Sequence, residues 1–151
     1  MTIEQHRRVL LVDDDDDVRS VLVAALRHKP LIVDEAANGR AALELLAENT
    51  YAVVVLDLIM PDVDGFAVCE AIERRGGPPP VVLVVTGADR SVTDQLDSRR
   101  IHGIVRKPFD PDEIASVVAA CAEIRGRSAF EAMALATMIS GAPLIALLNK
   151  L

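Results

Sequence analysis

Side chains able to do chemistry stand at the ends of apolar runs in this sequence. Five acids in a row, Asp13 to Asp17, follow Val9 to Val12. Asp57 follows Ala52 to Leu56 directly, Thr86 follows the valine-rich run Val81 to Val85, and Lys107 closes the short run from Gly103 to Val105. Carboxylates held together repel one another, and a hard divalent cation relieves that repulsion. Mg2+ suits such a site, because it takes oxygen ligands, keeps several waters and binds phosphate. An acid at the end of a fully apolar strand, as Asp57 is, destabilises the fold unless something pairs with it. Lys107 is the candidate partner. An acidic run is most often a solvated surface, but this one is pinned between an apolar run and an amphipathic stretch. Asp13 and Asp14 therefore belong to a strand end, while Asp17 is expected to N-cap the helix that follows.

The elements that must position these groups are legible from periodicity. Val9 to Val12, Leu31 to Ala36, Ala52 to Leu56, Val81 to Val85 and Gly103 to Val105 are compact apolar runs rich in β-branched residues, which suits parallel strands covered on both faces. Helical spacing marks Val18 to His28, Arg40 to Glu48 after the Asn38-Gly39 turn, and Phe66 to Arg75 before Gly76-Gly77-Pro78-Pro79-Pro80. Ser91 to Arg100 is a sparsely apolar helix candidate. Asp110-Pro111-Asp112-Glu113 opens a helix whose stripe is Ile114, Val117, Val118 and Cys121. Five strands alternating with five helices predict an α/β, flavodoxin-like, doubly wound five-stranded parallel sheet with helices on both faces, plus a C-terminal helical extension. In such a sheet ligands bind beyond the carboxyl ends of the strands. All four reactive positions lie there.

Composition narrows the function classes. With 151 residues the chain fits one domain and a short appendage, and 51% apolar residues exclude a disordered chain. Aromatics are 3% with no Trp, and the net charge is −7, so no direct nucleic-acid binding is expected. Cys69 and Cys121 read as buried thiols of a reducing compartment. Met1 to Arg8 is polar, and the uncharged stretch from Ala132 to Leu148 is broken by Ser140, Gly141 and Pro143. The reading is a soluble, cytoplasmic protein without a membrane span. We divide it into residues 1–125 and an apolar helical extension, 126–151, with a helix from Ser128 to Ile139 and an apolar turn from Leu144 to Leu148. That extension has so little polar surface that it must pack on its own domain, form a homodimer, or lead into an output domain absent from this chain.

Four ordered motifs resemble the receiver domain of bacterial two-component response regulators. They are Leu11-Val12-Asp13-Asp14, Leu56-Asp57-Leu58-Ile59-Met60-Pro61-Asp62-Val63-Asp64-Gly65, Val85-Thr86-Gly87 and Lys107-Pro108-Phe109. The likeness covers about residues 8 to 125. It implies that Asp57 accepts a phosphoryl group from a phosphohistidine on a sensor histidine kinase or histidine phosphotransfer protein. It implies that Asp14, Asp57 and the backbone carbonyl of Ile59 hold Mg2+, with Asp13 acting mostly through water. Thr86 and Lys107 would each bind a phosphoryl oxygen, and the Lys107-Pro108 bond would be cis. Such a module is not an enzyme beyond its own phosphorylation and dephosphorylation, and it signals to a downstream protein target or output domain.

Two other functions compete. A receiver-fold module that binds proteins without phosphate switching is one. A phosphatase resembling the haloacid dehalogenases is the other, but that family has an acid two residues beyond its nucleophile, where this chain has Ile59. No G-x-x-x-x-G-K-[ST] loop is present to cradle a nucleotide. One departure from the receiver pattern concerns readout. Ile104 stands where the family carries Tyr or Phe, and a β-branched aliphatic cannot make the same swing. The signal is therefore expected to leave through Gly87 to Arg90, the fourth helix candidate and the apolar extension.

Overall fold

Valine- and leucine-rich runs become strands because β-branched side chains pack well on a pleated, doubly covered surface. In a computed structural model that describes residues 2–126, the order is α1 (Ile3–Arg7), β1 (Arg8–Val12), α2 (Asp16–Arg27), β2 (Ile32–Ala36), α3 (Gly39–Glu48) and β3 (Val53–Leu56). There follow α4 (Gly65–Arg74), β4 (Val81–Thr86), α5 (Arg90–Thr93), β5 (Gly103–Arg106) and α6 (Pro111–Arg125). The strands form one parallel sheet in the order β2-β1-β3-β4-β5. The expected doubly wound sheet is thus observed. Its order reverses between β1 and β3, where a parallel sheet opens a crevice at its carboxyl edge.

The period of two along each strand divides the core into two layers. Val9, Leu11, Val53, Val55, Val81, Leu83 and Val85 face α2 and α6, whose Leu22, Leu26, Ile114 and Val118 bury against them. Leu10, Val12, Val54, Leu56, Val82 and Val84 face the other way, onto Ala42, Leu46, Val68 and Ile72 of α3 and α4. Cys69 and Cys121 are free and buried, as expected of inert core thiols. Burial pushes Cys69 up to about 11 and Cys121 up to about 12.

Three local expectations change. The N-cap of α2 is Asp15, not Asp17: the Asp15 carboxylate accepts from the Asp17 and Val18 amides, and Asp17 lies inside the first turn. The polar N-terminus forms α1, closed by a capping box between Thr2 and Gln5 and packed on α6. The fourth helix candidate shrinks to the four residues of α5. Its N-cap Asp89 makes no side-chain bond, and Thr93 bonds back to the Arg90 carbonyl. Asp97 then binds the Arg99 amide and guanidinium, a local bond that competes with helix. The helix expected from Ser128 to Ile139 and the turn from Leu144 to Leu148 lie outside the described residues. Among the described residues, no helix is long and apolar enough to cross a membrane.

Candidate functional site

The sheet ladder carries two acids to the same level. The Asp13 amide donates to Ala36 O of β2, and the Asp57 amide donates to Val12 O of β1, so both carboxylates leave the crevice edge side by side. From the next strands, the Lys107 amide donates to Thr86 O, which sets the lysine stem over the same edge. The Lys107-Pro108 peptide is cis, as the motif implied. Lys107 Nζ then bridges the two acids, 2.9 Å from Asp13 Oδ2 and 3.1 Å from Asp57 Oδ2. Pairing of Lys107 with Asp57 was expected. Its equal hold on Asp13 was not.

The remaining oxygens have fixed roles. Asp13 Oδ1 accepts from the Asp15 amide at 2.9 Å, and the Asp13 carbonyl accepts from Arg19 Nη1 at 2.8 Å. Asp57 Oδ1 accepts from the Ile59 amide at 3.3 Å, the looser of its two bonds. Arg19 carries no motif signal in the sequence, yet it anchors the loop by reaching back from the first turn of α2 to just past the end of β1. Burial raises the Asp13 carboxyl above its ordinary 3.8, against the opposing bonds from Lys107 and the Asp15 amide. Burial would lower Lys107, but its bonds to Asp13 and Asp57 hold it above the ordinary 10.5. The lysine is therefore a fixed cation at neutral pH.

Asp14 points the other way electrostatically: it is exposed, and among the described residues no hydrogen bond or ion pair is made by its carboxylate. It still offers an oxygen that, with one each from Asp13 and Asp57, forms a group within 4.8 Å of one another. Three carboxylates facing one ammonium leave an excess of negative charge on oxygen donors. That donor set fits a hard cation such as Mg2+. Thr86 is buried, and its hydroxyl accepts from the Ala88 amide at 3.2 Å instead of bonding to either acid.

The loop after β3 is shaped by close approach. A Cβ on Gly65 would lie 2.4 Å from the Asp57 carbonyl oxygen and 2.7 Å from Leu58 Cα, both backbone atoms. Gly65→Ala is therefore expected to destabilise the protein by about 1–3 kcal/mol, as forced overpacking does. A fall in the urea midpoint checks this; an unchanged midpoint would show that the Asp57 backbone yields freely. Asp62, at φ 63, takes the left-handed turn that Asp tolerates better than most residues.

A family model described as the response regulator receiver domain matches residues 9–119. The transcriptional regulatory protein SrrA of Staphylococcus aureus is 35% identical over 106 residues, covering 70% of this chain and 44% of SrrA. This chain thus spans under half the length of that curated relative. The response regulator TrrA of Thermotoga maritima, solved in complex with Mg2+ and BeF, is 28% identical with a TM-score of 0.67, over 76% of this chain and 98% of that one. A signal receiver domain from Vibrio parahaemolyticus superposes with a TM-score of 0.72 at 21% identity, covering 89% and 98%; it shows the fold.

Proposed function

This chain belongs to the family of response regulator receiver domains, and from that premise we propose that Asp57 is its phosphoacceptor. The observation that carries the assignment is the Lys107 ammonium held 3.1 Å from Asp57 Oδ2, with Asp13 and Asp14 grouped beside it. In the reaction, an Asp57 carboxylate oxygen attacks the phosphorus of a phosphohistidine on a partner protein. The P–N bond breaks, its electron pair leaves with the imidazole nitrogen, and an acyl phosphate forms. Lys107 neutralises one phosphoryl oxygen and the Thr86 hydroxyl donates to another. Transfer of this kind needs alignment and charge neutralisation more than covalent machinery.

Asp14, Asp57 and the Ile59 carbonyl would hold Mg2+, with Asp13 acting through water. When bound, the ion adds positive charge where the phosphoryl oxygens gather. The complex of TrrA with Mg2+ and BeF supports this reading. The donor is a sensor histidine kinase or histidine phosphotransfer protein. Residues 1–125 form the receiver unit, acting in the cytoplasm on a downstream protein or output domain, and residues 126–151 pack, dimerise or link.

Exposure makes Asp14 the informative residue. Asp14→Ala removes a carboxylate that holds nothing in the described fold, so stability should change by no more than about 0.5 kcal/mol. Mg2+ affinity is nonetheless expected to fall at least about tenfold, with acetyl phosphate labelling lost in parallel. Titration calorimetry and intact mass read both. Full labelling in excess chelator, or no phosphate-sized mass gain in the parent protein, would overturn the assignment. The second result favours a protein-binding module without phosphate switching.

A further inference from the structure

We propose that Arg106 is a positioning residue that ties the Thr86 loop to α5, carrying the response of the site in place of a ring at Ile104. The inference rests on Asp57 being the phosphoacceptor. Arg106 ends β5 and is the ladder partner of Thr86 in β4. Its Nη1 donates to the Ala88 carbonyl at 2.6 Å, and its Nη2 donates to Thr93 Oγ1 at 3.1 Å. The amide of the same Ala88 donates to Thr86 Oγ1 at 3.2 Å. One loop residue is thus held at its amide by Thr86 and at its carbonyl by Arg106. The other arm of the guanidinium grips the last residue of α5.

Helix physics explains why such a strap matters here. Four residues are far too few for a helix to stand alone, and α5 lacks a side-chain N-cap bond. Thr93 passes the contact on, donating to the Arg90 carbonyl at 3.1 Å. Arg106 therefore touches the segment just before α5 and, through Thr93, both ends of it. A planar fork presents its two arms to both acceptors in one pre-organised geometry, which an ammonium at the end of a flexible stem does not offer. Ile104, two residues earlier on the same strand face, is 44% exposed and has no polar group to offer.

The coupling follows from the bonds. When the Thr86 hydroxyl turns toward a phosphoryl oxygen on Asp57, it leaves the Ala88 amide without its partner. Ala88 then shifts, and its carbonyl takes the Arg106 guanidinium with it. Thr93 and α5 feel that movement directly. An element with two arrangements, biased by the ligand, is what a population shift requires.

Hydrogen exchange with and without beryllofluoride and Mg2+ tests the strap, with 19F NMR reporting occupancy of the site. In the parent protein, beryllofluoride should change protection across residues 87–95. In Arg106→Ala, which removes the bonds to both Ala88 and Thr93, that segment should already exchange at least about tenfold faster without ligand. Beryllofluoride should still bind, yet residues 90–95 should no longer respond. Thr93→Val keeps the bond to Ala88 and should uncouple α5 alone; Arg106→Lys should leave a partial response. An α5 response in Arg106→Ala equal to that of the parent, with the site occupied, would overturn the role of Arg106. Absence of occupancy in the parent would overturn the phosphoacceptor reading, and this one with it.

Discussion

Asp57→Asn is expected to take up no phosphoryl group, a loss of at least about a hundredfold in labelling by acetyl phosphate. The substitution keeps the side-chain shape, and its oxygen can still accept from Lys107 or the Ile59 amide, so the fold should persist. What it removes is the charged oxygen that attacks phosphorus. The neighbouring acids are poor substitutes for distinct reasons. Asp13 is more deeply buried than Asp57 and is held more closely, 2.9 Å from both the Asp15 amide and Lys107, against 3.3 Å and 3.1 Å for the two bonds of Asp57. Asp14 is exposed, and the ion pairs of Lys107 are with Asp13 and Asp57 instead. Peptide mapping after acetyl phosphate and Mg2+ should therefore show one modified residue in the parent and none in the variant. A phosphate found on Asp13 or Asp14 in Asp57→Asn would refute the assignment.

Much of this site was legible because strand ends are easy to find. A β-branched run that stops at a polar or charged residue locates the carboxyl edge of a parallel sheet, and Asp13, Asp57, Thr86 and Lys107 each follow such a run. The parallel order then places them together without further information. Contacts made by long side chains across the fold carry no comparable pattern. The second bond of Lys107, to Asp13, depends on where an ammonium settles between two carboxylates. Arg19 reaches the Asp13 carbonyl from inside α2, and Arg106 reaches Ala88 and Thr93 from a strand end. Either arginine could equally have been a solvated surface charge. Tyr51 is another such case: its hydroxyl donates to Asp34 at 2.8 Å, across a strand edge that periodicity does not describe.

Helix limits failed for a different reason, competition among neighbouring acids. In Asp13-Asp14-Asp15-Asp16-Asp17 every residue is a good N-cap, so local preference cannot choose among them. The choice falls to Asp15 because its carboxylate reaches the amides of both Asp17 and Val18 while Asp13 is committed to the lysine. In the fourth helix candidate the shortage runs the other way. Only Val92 and Leu96 pack partly against the core, and Thr93 and Asp97 spend their side chains on local bonds. Too little apolar surface is buried there to hold a longer helix.

Lys107→Met should have the largest effect on stability. The lysine side chain is 21% exposed, while those of Asp13 and Asp57 are 2% and 8% exposed. Removing the ammonium leaves two buried carboxylates facing each other with no cation between them. Breaking a buried pair from one side costs about 3–5 kcal/mol, and the partial exposure of Lys107 brings the expected loss to about 2–4 kcal/mol. Urea unfolding in chelator at neutral pH reads it. The loss must also depend on pH. Asp13 has a folded pKa above 3.8, so its stability contribution is full below 3.8 and is lost as pH rises through the folded value. Without Lys107 to oppose burial that value climbs further, and the deficit of the variant widens from pH 4 toward neutrality. Lys107 itself is held above 10.5, so its contribution is full below 10.5 and lost as pH rises through its folded value. The two proteins should therefore converge again at high pH. Mg2+ supplies the comparison that separates charge from packing, since a cation that binds only the folded state stabilises it by mass action. Two carboxylates with no ammonium between them should bind it more tightly, so Mg2+ should restore more stability to Lys107→Met than it adds to the parent. A deficit unchanged by pH and by Mg2+ would mean that the lysine stem, not its charge, holds this edge of the sheet together.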